Sequence, residues 1–204
     1  MERLPLFPLG NALFPDGLLH LRVFEVRYLD MVRQCQADGT PFGVVILLDG
    51  REVRRPDGQD VLADVGTLAR IDACDTLMPG VLALRCTGLT RFQLTDTEIG
   101  KYGLWTGVPT AIENDTAQDI PDELQGCADA LGRFIARLQR ESLPAERWPL
   151  APPFRLDECG WVADRWAELL PLPAGDKRDL LAERDPQVRL ARIDERLRAQ
   201  GLLQ

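Results

Sequence analysis

The chain has little of what most reaction chemistries require. Its 204 residues include one histidine, His20, one serine, Ser142, and two lysines, Lys101 and Lys177. The five cysteines are Cys35, Cys74, Cys86, Cys127 and Cys159, all far apart in sequence, so no C-x-x-C element exists. A zinc site needs about four Cys, His or carboxylate ligands, usually in closely spaced pairs. None is present, and neither a metal nor a cofactor is expected. An odd number of dispersed cysteines reads as reduced thiols acting as small hydrophobes. There is no G-x-x-x-x-G-K-[ST] stretch, hence no phosphate cradle of that type. With no second histidine and no nucleophile beside it, His20 is a poor acid or base candidate. No apolar run approaches the roughly 18 residues of a membrane span. The first residues, with Glu2, Arg3 and several prolines, lack a basic region followed by an apolar stretch, so a cytoplasmic protein is expected.

What is present is an ordinary globular composition, 45% hydrophobic and 27% charged, with a formal net charge of -8. The acidic balance opposes the counterion release that drives nucleic-acid binding. The most informative stretch is the first thirty residues. Leu4-Pro5-Leu6-Phe7-Pro8-Leu9, Phe14-Pro15 and Leu19-His20-Leu21 read as strand segments around a tight turn at Asp16-Gly17. The period then lengthens to about 3.6, placing Phe24, Tyr28, Met31, Val32 and Cys35 on one side of a helix expected over 24–37.

Strands are expected at 42–48, a continuous apolar run, and at 65–71, 81–86 after the Pro79-Gly80 turn, 90–94 and 102–112. Residues 54–58 read as a turn, and Pro109 marks an edge or bulge. Short strands at this spacing predict a closed or nearly closed barrel. The character changes near Glu113: from there to Asp129 there are six acidic residues and no Lys or Arg. Asp119 is the expected cap of a helix carrying Leu124, Cys127, Leu131, Ile135 and Leu138 inward. Prolines 144, 149, 152 and 153 form a connector. A helix from about Asp157 carries Val162, Trp166 and Leu169, and Asp176 can cap a short one. Asp185-Pro186 opens the last helix, with Leu190, Ile193 and Leu197 inward and Arg189, Arg192, Arg196 and Arg198 outward. The division expected is a β domain over 1–116 and a helical one over 117–204.

The opening Leu-Pro-Leu-Phe-Pro-Leu, the Phe14-Pro15 pair and Phe24-Glu25-x-Arg27-Tyr28 resemble the N-terminal substrate-binding domain of Lon proteases. Phe42-Gly43-Val44-Val45, Val65-Gly66-Thr67-Leu68, Gly88-x-x-Arg91-Phe92 and Leu180-Leu181-Ala182-Glu183 are similar to later family segments in the same order. The hairpin before Gly88 departs, with Met78-Pro79-Gly80 where the family often has Asp-Gly. The resemblance implies an α+β fold: a barrel like the pseudouridine-synthase-associated (PUA-like) domain with a covering helix, then a C-terminal α-helical bundle. It also implies a stand-alone domain that is not an enzyme and binds polypeptide segments, with a protease system as a further partner. Full Lon proteases add an ATPase and a serine-lysine protease. Here Ser142 has no activating constellation, and the two lysines have polar neighbours and show no sign of burial.

Two groups of residues are singled out. Phe24, Glu25, Arg27 and Tyr28, with Gly88, Arg91 and Phe92, read as structural: Glu25 accepts hydrogen bonds at the helix start while Phe24 and Tyr28 anchor the helix. Trp105, Trp148 and Trp161 are the candidate peptide-binding residues, as aromatics near the junction of the two halves suited to apolar segments in a groove there. A PUA-like nucleic-acid binder and a small-molecule sensor using Glu25, Arg27 and Tyr28 are the alternatives.

Overall fold

The structure is a computed structural model that describes residues 3–50, 60–141 and 148–203. The turn at 54–58, Ser142 and Pro144 lie outside the described residues. The chain divides into two compact units, Met1–Asn114 with Pro173–Ala182, and Asp115–Leu172 with Glu183–Gln204.

The first unit is built on six strands: β1 (Leu4–Leu9), β2 (Leu18–Val23), β3 (Phe42–Asp49), β4 (Val61–Met78), β5 (Val81–Ile99) and β6 (Trp105–Ala111). Their order is β2-β5-β4-β3-β1-β6, and β6 pairs back onto β5. The hydrogen-bonded circuit β5-β4-β3-β1-β6-β5 therefore returns to its start, a route by which a twisted sheet leaves few free edges. Only β1 and β3 run parallel. Pro109 pairs with Leu94 of β5, beyond the stretch of β6 that also pairs with β1, where a missing N–H costs no second ladder bond.

The apolar run of β3 is buried from Phe42 to Leu47 because one face meets each of two clusters. Val44 and Phe42 join Phe7, Val23, Tyr28, Met31, Val32, Leu84 and Cys86. Val45 joins Leu6, Phe92 and Leu94. Two strands expected at 81–86 and 90–94 are one 19-residue strand, and its partner β4 extends to Met78. The far end of this hairpin escapes an apolar-period reading because residues 76–80 are exposed, and register shifts in β4 reset the alternation.

Helix α1 (Val26–Asp38) begins two residues later than expected, and Gly39 ends it with φ 65° in the left-handed region. It buries Tyr28, Met31, Val32 and Cys35. Phe24 stays outside the helix and is 55% exposed, so Tyr28 anchors α1 without it. Helix α4 (Ala174–Ala182) belongs to this unit and packs on β3 and β4, unlike the division expected at 116.

The second unit packs α5 (Pro186–Ala199) against α2 (Gln125–Arg140) and α3 (Cys159–Leu169). Asp185 caps α5, its Oδ1 accepting from the N–H of Gln187 at 2.9 Å and of Val188 at 3.4 Å. Asp119 caps no helix; it bridges Glu158 as an isolated β pair. Arg189 corrects its outward assignment. It is fully buried, with Nε 2.9 Å from Asp164 Oδ1 and a further ion pair to Asp115.

Candidate functional site

At the start of α1 the sequence packs a carboxylate, a guanidinium and a phenol into four residues. Glu25 is extended (φ -77°, ψ 135°), and its carbonyl accepts from the N–H of Tyr28 and Leu29, opening the helix. Its carboxylate receives Arg27, with Nη2 at 2.9 Å and Nε at 3.1 Å. Arg27, 5% exposed, also donates from Nη1 to the Gly103 carbonyl at 2.9 Å and lies 4.5 Å above the Tyr28 ring. Tyr28 stacks in turn on Phe7 at 4.1 Å. Glu25, Arg27 and Tyr28 thus hold α1 against the sheet.

Gly88-x-x-Arg91-Phe92 joins three other parts of the same unit. A Cβ at Gly88 would lie 2.1 Å from the Phe14 carbonyl oxygen, so only glycine lets β5 approach the 14–17 turn. That turn is closed by the Gly17 N–H on the Phe14 carbonyl at 3.0 Å and joined to β5 by Asp16 N–H to Gly88 O and Gly88 N–H to Gly17 O, both 2.9 Å. Arg91, 1% exposed, donates to the Leu181 carbonyl of α4 at 3.1 Å, and Phe92 fills the second cluster. Lys177 corrects the expectation of an exposed lysine: α4 brings it inside at 5% exposure, where Nζ donates to Asn11 Oδ1 at 2.6 Å.

Beside this scaffold lies a cavity of about 310 Å³, a small ligand pocket in size. It is lined by residues 19–25 together with Phe7, Leu9, Asn11 and Tyr28. Successive strand residues point to opposite faces, so a cavity touched by five consecutive residues of β2 runs along the strand's edge, not over one face. Leu21 and Val23 form its apolar floor; His20, Arg22 and Phe24 are exposed at its rim. Glu25 and Tyr28, named for the small-molecule alternative, line this cavity, while Arg27 is turned into its ion pair; the further signal in the sequence is the i, i+2 alternation of Leu19, Leu21 and Val23 beside Phe24.

The three tryptophans do not form one cluster. Trp105 lies in β6, half-buried against Leu6, Val45, Phe92 and Leu94. Trp148 stacks near Phe154 in the second unit at 6.5 Å, and Phe154 meets Trp161 at 6.3 Å. Trp161 is 4% exposed, with the Arg165 guanidinium 5.7 Å over its ring. Of the three, Trp105 and Trp148 present surface.

Among the described residues no group of three His, Cys, Asp or Glu side chains could hold a metal. Burial pushes the Cys86 and Cys127 thiols up to about 12 and raises Cys35 and Cys159, the opposite of an activated nucleophile. No helix among the described residues is long and apolar enough to cross a membrane.

A strand circuit with an apolar cavity beside it, a buried arginine tying β5 to α4, and helices packed together in a second unit define a mixed α+β fold. The family follows from comparison: the model of the ATP-dependent protease La (LON) substrate-binding domain matches residues 3–199, and the chain belongs to that family. The Lon N-terminal domain protein of Xanthomonas campestris has a crystal structure similar to it, with TM-score 0.75 and 36% identity over 96% of this chain and 98% of that one. The N-terminal domain of a Mycobacterium avium complex Lon protease shares the fold at TM-score 0.57 and 18% identity, over 95% of this chain and 97% of the other. Lon protease of Brevibacillus choshinensis and Lon protease 1 of Bacillus subtilis (strain 168) are each 26% identical over 93% of this chain. The chain spans 24% of the length of each of these two.

Proposed function

We propose that this chain binds polypeptide, recognising exposed apolar segments, as a Lon-type substrate-binding domain without ATPase or protease chemistry of its own. The observation that carries the reading is the family match across 3–199, to a domain described by substrate binding. The apolar cavity along β2 supports it, since the affinity of such a site comes from burying apolar side chains. The finer architectural reading, a PUA-like barrel followed by helices, is supported by the closed strand circuit and by the packing of α5 on α2 and α3. Trp105 and Trp148 are proposed as further contacts because each keeps part of its ring at the surface. A protease system is the proposed partner that would receive bound clients.

The test is direct. The full chain is titrated with a fluorescently labelled, reduced and alkylated test protein held unfolded, and anisotropy is read. Saturable binding of the unfolded form with little binding of the native form is expected. Equal binding of both forms, or none of either, refutes the reading. Stronger binding of an RNA oligomer, lost as salt rises, would instead favour the nucleic-acid alternative.

A further inference from the structure

Strand β2 has one partner only. It pairs with β5 from Leu18↔Thr87 to Val23↔Leu82, and among the described residues nothing pairs with its other edge. Strand β1 pairs with β6 only from Leu4 to Leu6, leaving Phe7 and Leu9 with β3 alone. The cavity is lined from these two sides, by Phe7 and Leu9 and by the consecutive residues of β2. An unpaired edge presents a row of backbone N–H and C=O groups that a further strand can satisfy.

The side chains state what that strand would carry. Along the cavity the core face of β2 offers Leu19, Leu21 and Val23, with Tyr28 and the exposed Phe24 beside them. On its other face stand His20 and Arg22, both exposed, with no ion-pair or hydrogen-bond partner for either side chain among the described residues. Arg85 of β5 lies opposite His20 and is also exposed. The paired stretch of β2 and β5 holds no carboxylate, in a chain of net charge -8. On the next strand Asp72 is taken by Arg70 at 2.8 Å and by the Thr87 hydroxyl at 2.5 Å and also faces Arg85, while the exposed Asp75 pairs with Ala83, one strand in from Arg22. The edge strand itself is thus apolar on one face and carries the cation Arg22, with no carboxylate, on the other.

We propose that the free edge of β2 takes up an extended peptide by strand addition, and that the peptide it fits alternates apolar and acidic residues. The apolar side chains enter the cavity between Phe7, Leu21, Val23 and Phe24, and the carboxylates meet Arg22. Backbone pairing supplies affinity, and the alternating faces supply register and selection. Six residues of β2 admit a segment of about 20 Å. This site rests on the polypeptide-binding reading above and names its substrate class.

The probe is a short fluorescein-labelled peptide alternating phenylalanine or isoleucine with glutamate, titrated into the full chain by anisotropy. Arg22→Glu should weaken it about fivefold. The same variant should bind the lysine-for-glutamate twin more tightly than the unaltered chain does. Phe24→Ala should weaken both peptides about fivefold, and N-methylation of alternate peptide amides should cost more than about tenfold. Both substituted residues are exposed, and a melting curve checks that each variant is folded. The proposal fails if Arg22→Glu does not reverse the charge preference, or if N-methylation leaves binding unchanged. If the unfolded test protein binds but these changes leave that binding intact and the peptide does not compete, the site is wrong and the general reading stands. If no unfolded polypeptide binds at all, both fall.

Discussion

The two units bury charge differently. Both take cations inside: Arg27, Arg91 and Lys177 in the first unit, Arg165 and Arg189 in the second. Among the described residues only the second takes carboxylates as well, with Asp164 at 4% and Asp194 at 9% exposure. Arg189 sits between Asp164 and Asp115, and Arg165 meets Glu168 at 3.0 Å. In the first unit Arg91 reaches the Leu181 carbonyl, and Arg27 reaches the Gly103 carbonyl while pairing with Glu25, whose side chain keeps 25% of its surface exposed. Its pairs Arg178–Asp64 and Arg3–Asp96 lie at the surface. A buried cation on a carbonyl ties two segments without taking a carboxylate into the interior. A buried ion pair adds a second desolvated charge, so losing either partner leaves the other stranded.

The largest effect should therefore come from the second unit. Arg189→Met leaves Asp164 in a closed interior without its guanidinium. A loss of about 3–5 kcal/mol is expected in urea unfolding followed by the fluorescence of Trp161 and Trp166. Adding Asp164→Leu to the same chain should recover part of it. A single-variant loss below about 1 kcal/mol would erase the contrast between the units.

In the first unit the vulnerable feature is close backbone approach. Gly88→Ala places a methyl group 2.1 Å from the Phe14 carbonyl oxygen, a backbone atom that cannot swing aside. The cost expected is about 2–3 kcal/mol. The control is Gly80→Asn in the exposed hairpin turn. There φ is 80° and no heavy atom lies within 4 Å, so a loss of about 1 kcal/mol or less is expected. Equal losses at both positions would show that the contact with Phe14 yields easily.

What the sequence displays is the pattern that repeats locally. The run of β3, the alternation of β2 and the 3.6-residue period of α2 are legible because each element's burial is written in its own residues. Helical spacing places Arg189 outward, where a charged residue on an amphipathic helix usually lies. Its partners Asp115 and Asp164 lie on other segments, and helix periodicity carries no trace of them. Lys177 is hidden from its sequence neighbours for the same reason: the fold takes α4 to β3 and β4. Phe24 fits the helical stripe by spacing, yet Glu25 is extended and the stripe starts after it. The cavity followed from pairing topology, since an edge strand exists only relative to the strands it lacks.

The smallest expected effect is also the cleanest test of the contrast. Arg178 Nη2 lies 2.6 Å from Asp64 Oδ2, with side-chain exposures of 35% and 48%. The hydrogen bond from Arg178 is the largest influence on the Asp64 carboxyl, and it holds the acid below its usual range. Its stabilisation is fully present above the unfolded value of about 3.9 and is lost as pH falls through the lower folded value. Asp64→Asn should cost less than about 1 kcal/mol at neutral pH. That difference from the unaltered chain should shrink as urea midpoints are taken from about pH 5 down to about pH 2. Molar salt should also shrink it, because exposed charges are screened over a few ångströms. The loss from Arg189→Met should barely respond to salt, because Asp164 is out of reach of counterions. If salt reduced both losses in the same proportion, the buried and surface pairs would be one kind of interaction, and the units would not differ in how they hold charge.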